Sequence, residues 1–116
     1  MFNLNDSMRY WLYSEPTDMR KSFFSLSGIV TNQMGKEIGS GDVFIFLNRP
    51  RTRIKLLHME TGGLVLYSKM LEAGTFARPT HASENQMTWS DLVMMVEGIV
   101  ENPHYRRKRI REYRDM

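Results

Sequence analysis

A small α+β domain, an antiparallel β-meander of four to five strands packed against an N-terminal amphipathic helix and followed by a C-terminal helix, is the fold this sequence predicts. Three observations carry the prediction. Apolar residues Met19, Phe23, Leu26, Val30 and Met34 recur at steps of four, three, four and four, the period of one helix face. Three apolar segments, 42–48, 53–59 and 64–70, follow one another across short connections of turn composition, RPRT and ETGG. A second helical stripe, Leu92, Met95, Val96 and Ile99, lies near the C-terminus.

The elements follow in order. Residues 8–13, MRYWLY, are rich in aromatics and suit a first strand. Pro16 interrupts the pattern. Thr17 can cap a helix spanning 18–34, with Asp18 at the positive end of its dipole and Gly35 as its stop. Arg20 and Lys21 fall in that first turn, where the dipole disfavours cations, which hints at a purpose other than helix stability.

KEIGSG is a loop, and the three apolar segments after it form the meander. Pairing Asn48 with Arg53 sets Leu47 opposite Ile54, Phe46 opposite Lys55 and Ile45 opposite Leu56. Pairing Glu60 with Gly63 sets His58 opposite Val65 and Leu56 opposite Tyr67. One face then carries Val43, Ile45, Leu47, Ile54, Leu56, Val65 and Tyr67, for the helix 18–34 to cover. The other carries Phe44, Phe46, Arg53, Lys55, Leu57 and Leu66. It is too apolar to face water and calls for the C-terminal helix or a partner, with the Lys55 ammonium over the Phe46 ring. LEAGTFARP is a turn with a short edge strand, THASENQM a loop, and Ser90 the cap of a helix over 91–101.

The chain has 116 residues, which suits one domain over 1–102 with an appended tail, 103–116. Net charge is +3, and six of the sixteen basic residues lie in that tail: Arg106, Arg107, Lys108, Arg109, Arg111 and Arg114, against Glu112 and Asp115. The rest of the chain is nearly neutral, so the excess positive charge is a local appendage. There is no cysteine, which excludes disulfides and thiolate metal sites. No apolar run reaches the roughly 20 residues that span a bilayer, and the N-terminus does not resemble a signal peptide, so the cytoplasm is expected.

Catalytic constellations do not emerge. His58, His81 and His104 are scattered, no metal-ligand spacing or glycine-rich phosphate loop appears, and Asp18 beside Arg20 and Lys21 suits a local charge cluster better than an acid–base pair. No enzyme, cofactor or metal is expected. A polyanion partner has better support. Arg49, Arg51, Arg53 and Lys55 alternate along a hairpin turn and the strand that leaves it. A cationic ribbon can grip phosphates or enter a groove, though charge also serves to blunt a strand edge. Tyr105 and Tyr113 flank the tail cations Arg106, Arg107, Lys108 and Arg109.

Three stretches together, PTDMRKSFFSL (16–26), SGDVFIFLNRPRTRIKLL (40–57) and LVLYSKMLEAGTF (64–76), resemble the small TnpB-type accessory protein of bacterial insertion sequence 66 elements, across about residues 8–102. The resemblance implies a protein made beside a separate transposase that assists transposition, with no catalytic residues to carry over. The polar positions matching the family are Asp18, Arg20, Lys21, Arg49, Arg53, Lys55, Glu72 and Gly74. His58 and Glu60 stand where the family usually has an aromatic residue and an aspartate, and Met70 where a basic residue is usual, so the strand 64–70 is less cationic here.

Two functions follow as expectations. One is a DNA-binding accessory factor for transposition, holding element ends through Arg20, Lys21, Arg49, Arg51, Arg53, Lys55 and the tail. The other is a scaffold that contacts the transposase or a second element-encoded protein through Phe44, Phe46, Leu57 and Leu66, without touching DNA.

Overall fold

The computed structural model describes residues 4–77 and 85–97. Five strands and two helices succeed one another: β1 (Tyr10–Leu12), α1 (Phe23–Asn32), β2 (Val43–Leu47), β3 (Arg53–Glu60), β4 (Gly63–Met70), β5 (Gln86–Met87) and α2 (Trp89–Glu97). The sheet order is β4-β3-β2-β1-β5. The α+β class and the meander β2–β3–β4 agree with the sequence, and so does the register. Leu47 faces Ile54, Phe46 faces Lys55, His58 faces Val65 and Glu60 faces Gly63.

The edge containing β1 departs from a purely antiparallel meander. β1 runs parallel to β2, Tyr10 beside Val43, and antiparallel to β5, Tyr10 beside Met87. Parallel neighbours need a long crossover, and the segment carrying α1 supplies it. Asp42 ties the pair together: its carboxylate accepts from Arg9 Nε at 3.0 Å and from Trp11 Nε1 at 2.9 Å.

All five residues of β2 are buried, because this central strand is covered on both faces. α1 covers one face, where Leu26 and Val30 join Met19, Phe44, Phe46 and Leu57. α2 covers the other, where Leu92, Met95 and Val96 join Tyr10, Leu12, Val43, Ile45, Leu47, Ile54, Leu56 and Phe76. The assignment of helices to faces is thus the reverse of the expected one. Period two sorts side chains between faces but cannot say which of two apolar helices lies over which. The reversal also buries Phe44, Phe46 and Leu57 completely, so they are unavailable as a docking face.

Both helix starts differ from expectation. α1 begins at Phe23 rather than residue 18, after an N-cap at Ser22 whose side chain makes no capping bond. Residues 18–21 form a turn, with the Lys21 N–H on the Asp18 carbonyl at 3.1 Å. The Met19 and Lys21 carbonyls, which a longer helix would use along its axis, accept instead from the Lys55 ammonium at 2.8 and 2.6 Å. α2 is capped by Thr88, not Ser90: the Asp91 N–H donates to Thr88 Oγ1 at 3.0 Å while the Asp91 carboxylate accepts from the Thr88 N–H at 3.5 Å. α1 also ends early, at Asn32 with Gln33 as its C-cap rather than at residue 34, and Gly35 at φ 65 turns the chain after it. The end of the 91–101 helix and the tail 103–116 lie outside the described residues.

Candidate nucleic-acid interface

The site is built from the turn between β2 and β3. Asn48 organises it: Oδ1 accepts from the Thr52 N–H at 2.9 Å and the Arg53 N–H at 3.0 Å, and Nδ2 donates to Thr52 Oγ1 at 3.0 Å. The Arg51 N–H donates to the Asn48 carbonyl at 3.1 Å, closing a four-residue turn. An asparagine that satisfies nearby backbone donors is a standard turn former, so this role was legible in the asparagine preceding RPRT.

A second segment clamps the turn from outside. The Phe76 N–H donates to the Arg51 carbonyl at 2.7 Å, and the Leu71 N–H to the Thr52 carbonyl at 2.8 Å. Gly74 supplies the reversal between them at φ 73, and the Phe76 ring is fully buried. The Leu-Glu-x-Gly-x-Phe stretch is therefore the buttress of the basic turn.

Arg51 has φ 57, in the left-handed region. A side chain there costs roughly 1–2 kcal/mol that glycine would avoid. Strain at one residue of a rigid turn is a signature of functional positions. Arg49 is exposed, and Arg51 and Arg53 are half-buried. Among the described residues none of the three has an ion pair, and Arg53 Nε is buried with no hydrogen-bond partner.

The loop that leads into α1 reaches the same end of the sheet. The Thr17 N–H donates to the Leu47 carbonyl at 2.8 Å, one residue before Asn48. Lys55 then holds the 19–21 turn against β3. So the structure brings Arg20 and Lys21 beside the strand that carries Arg53 and Lys55, although they are more than thirty residues apart in sequence.

The cations differ in availability. Arg20 is exposed but grips Asp18, with Nη2 at 2.6 Å and Nε at 3.0 Å from Oδ2. That guanidinium holds the Asp18 carboxyl well below the usual carboxylate range. Lys21 is exposed and unpaired among the described residues. Lys55 is buried, and its ammonium, expected over the Phe46 ring, is taken up by the two backbone carbonyls. Burial pushes its pKa down, the charge of Arg53 adds to this, and Asp18 opposes it. Arg106, Arg107, Lys108 and Arg109 lie outside the described residues.

Guanidinium groups without a carboxylate partner, on a backbone turn held from both sides, are groups suited to anionic oxygens. No group of three potential metal ligands occurs among the described residues. The outlying aromatic Phe24, 94% exposed on the first turn of α1, escaped the sequence reading because it was not on the apolar stripe.

Comparison with known proteins agrees with the resemblance. The model of a family described as IS66 Orf2 like protein matches residues 8–105. Two proteins of Sinorhizobium fredii (strain NBRC 101917 / NGR234) are similar. Uncharacterized protein y4jC is 25% identical over 100 residues, covering 85% of this chain and 86% of that protein. Uncharacterized protein y4hO is 29% identical over 80 residues, covering 69% of this chain and 70% of that protein. No solved structure matches.

Proposed function

The chain belongs to the IS66 Orf2-like family, and on that premise we propose that it is a non-catalytic, cytoplasmic accessory protein of a transposable element that binds DNA through the phosphate backbone. The transposable-element role comes with the family; DNA as the partner is the proposed step. The observation that supports it is the turn 49–53: three arginines without a carboxylate partner among the described residues, on a backbone fixed by Asn48 from within and by Leu71 and Phe76 from without. Guanidinium groups in that setting suit phosphate oxygens, and fixing them beforehand lowers the entropy lost on binding. Lys21 extends the patch, and Lys55 acts by holding the 19–21 turn in place.

Binding of this kind depends steeply on salt, with a slope of about 0.9 per phosphate contact. The test is a fluorescence-anisotropy titration on element-end DNA and on random DNA over a range of salt. Replacing Arg49, Arg51 and Arg53 together by Gln should weaken binding and lower the slope by about 2–3. An affinity untouched by the triple replacement at every salt concentration would end the proposal.

A scaffold for the transposase is the second reading, and Phe24 is the observation that favours it. With Phe23, 41% exposed, beside it, Phe24 makes an aromatic pair on the first turn of α1 of the kind a protein partner covers. A pull-down with the element's transposase that is lost on Phe24→Asp, while DNA binding persists, would support this reading over the first.

A further inference from the structure

A cleft of about 150 Å³ opens between β1, the end of α1 and Asn85. Its walls include Trp11, Tyr13, Gln33, Met34, Lys36 and Asn85. Trp11 and Tyr13 are two residues apart along an extended segment, which places both rings on the same side of the sheet. Both are held. Trp11 Nε1 donates to the Asp42 carboxylate at 2.9 Å, and the Lys36 ammonium stands 3.6 Å from the Trp11 ring centroid. The Tyr13 ring lies 6.0 Å from Phe46. Two amides border these rings, and the side chains of Gln33 and Asn85 make no hydrogen bond among the described residues. The Asn85 backbone is fixed at φ 68, with its carbonyl accepting the Leu12 N–H at 2.7 Å.

We propose that this cleft takes one unpaired nucleotide of the bound DNA, the base against Tyr13, its polar edge on Gln33 and Asn85, and its phosphate at Lys36, whose ammonium covers the Trp11 ring. The inference rests on the DNA-binding reading above and adds a preference for strands with an unpaired base. Each part of the wall answers one part of a nucleotide. Aromatic rings offer a stacking surface for any base. Side-chain amides present a donor and an acceptor together, which matches the edge of a base taken out of its stack. The ammonium provides the charge for a phosphate. A simple anion would not need the Tyr13 ring, and an aliphatic ligand would not need two amides. The volume is about that of an apolar cavity known to take benzene, enough for one ring and too small for a base pair.

The test uses the full chain and two labelled duplexes of equal length, one fully paired and one with a single unpaired thymine, at one fixed salt concentration. The expected result is tighter binding of the second by at least about fivefold, the lower end of what one stacked base contributes. Lys36→Gln, Gln33→Ala and Asn85→Gly should each shrink that preference while leaving the paired duplex bound as before. Glycine is chosen at 85 because it keeps the positive φ without strain. Equal affinity for the two duplexes in the unaltered protein would overturn this inference and leave the DNA-binding reading standing. Binding to neither would overturn both. A preference that survives all three replacements would place the unpaired base elsewhere and overturn the cleft.

Discussion

The Lys55 ammonium lies 2.6 Å from the carbonyl oxygen of Lys21, so a buried cation of the third strand fixes the backbone from which an exposed cation projects. A second bond, to Met19, completes the hold at 2.8 Å. Lys55→Met keeps most of the stem but removes both donations, leaving two carbonyls without their partner. Loss of about 1–3 kcal/mol is expected in urea unfolding, since bonds from a charged donor are the costly ones to delete.

The same lysine should show itself in alkaline solution. Burial lowers its pKa from the ordinary 10.5 in the folded state. Between the folded and unfolded values the unfolded chain holds more protons, so stability rises with pH across a window ending near 10.5. Burial raises the pKa of the Tyr10 and Tyr67 hydroxyls, which pulls stability the other way in strong alkali, so the Lys55 gain is read as the difference in urea midpoint between the native sequence and Lys55→Met at rising pH. A gain of equal size in both would show that another group is responsible.

Arg51→Gly separates stability from binding. It relieves the left-handed strain at φ 57, so thermal stability should be unchanged or improved by up to about 1 kcal/mol. DNA binding should weaken and its salt slope fall by about 0.9. A variant that binds as before would show that the arginine side chain is not in contact with the polymer.

Asp18→Asn tests the masked cation. The pair Asp18–Arg20 lies in solvent, with the Arg20 side chain 92% exposed, so its loss should leave unfolding nearly unaltered. The asparagine oxygen can still accept the Arg20 N–H that Asp18 Oδ1 accepts at 2.9 Å. Freed guanidinium should tighten DNA binding and raise the salt slope by up to about 0.9. Weaker binding would mean that the carboxylate positions Arg20 for contact.

Asn48→Ala removes the acceptor for two backbone N–H groups and a donor to Thr52. A cost of about 1–3 kcal/mol is expected, with faster amide exchange at Thr52 and Arg53. Unaltered exchange there would show that the clamp from Leu71 and Phe76 suffices alone.

The sequence made the meander legible down to its register because alternation and two short turns allow few pairings, as Phe46 opposite Lys55 illustrates. It concealed the parallel pairing of Tyr10 with Val43, since nothing in a three-residue strand says which neighbour it will choose across a crossover. The helix start at 18 failed for a related reason. Local composition there favours helix, and the override comes from Lys55, thirty-four residues on from Lys21. Of the candidate site, the cluster Arg49–Arg51–Arg53 was visible as charge spacing. The strain at Arg51, the burial of Lys55 and the cleft beside Trp11 depend on contacts that only the folded chain makes.

The pairing of Tyr10 with Met87 governs how this protein can be made. Of the described strands, the first in chain order has the last as one neighbour. Until α2 follows, Tyr10 and Leu12 lack Leu92, Met95 and Val96, which share their side of the sheet. A nascent chain stalled before residue 87 would therefore carry β1 with one edge unpaired, and a translation pause in that interval should invite chaperones or proteases.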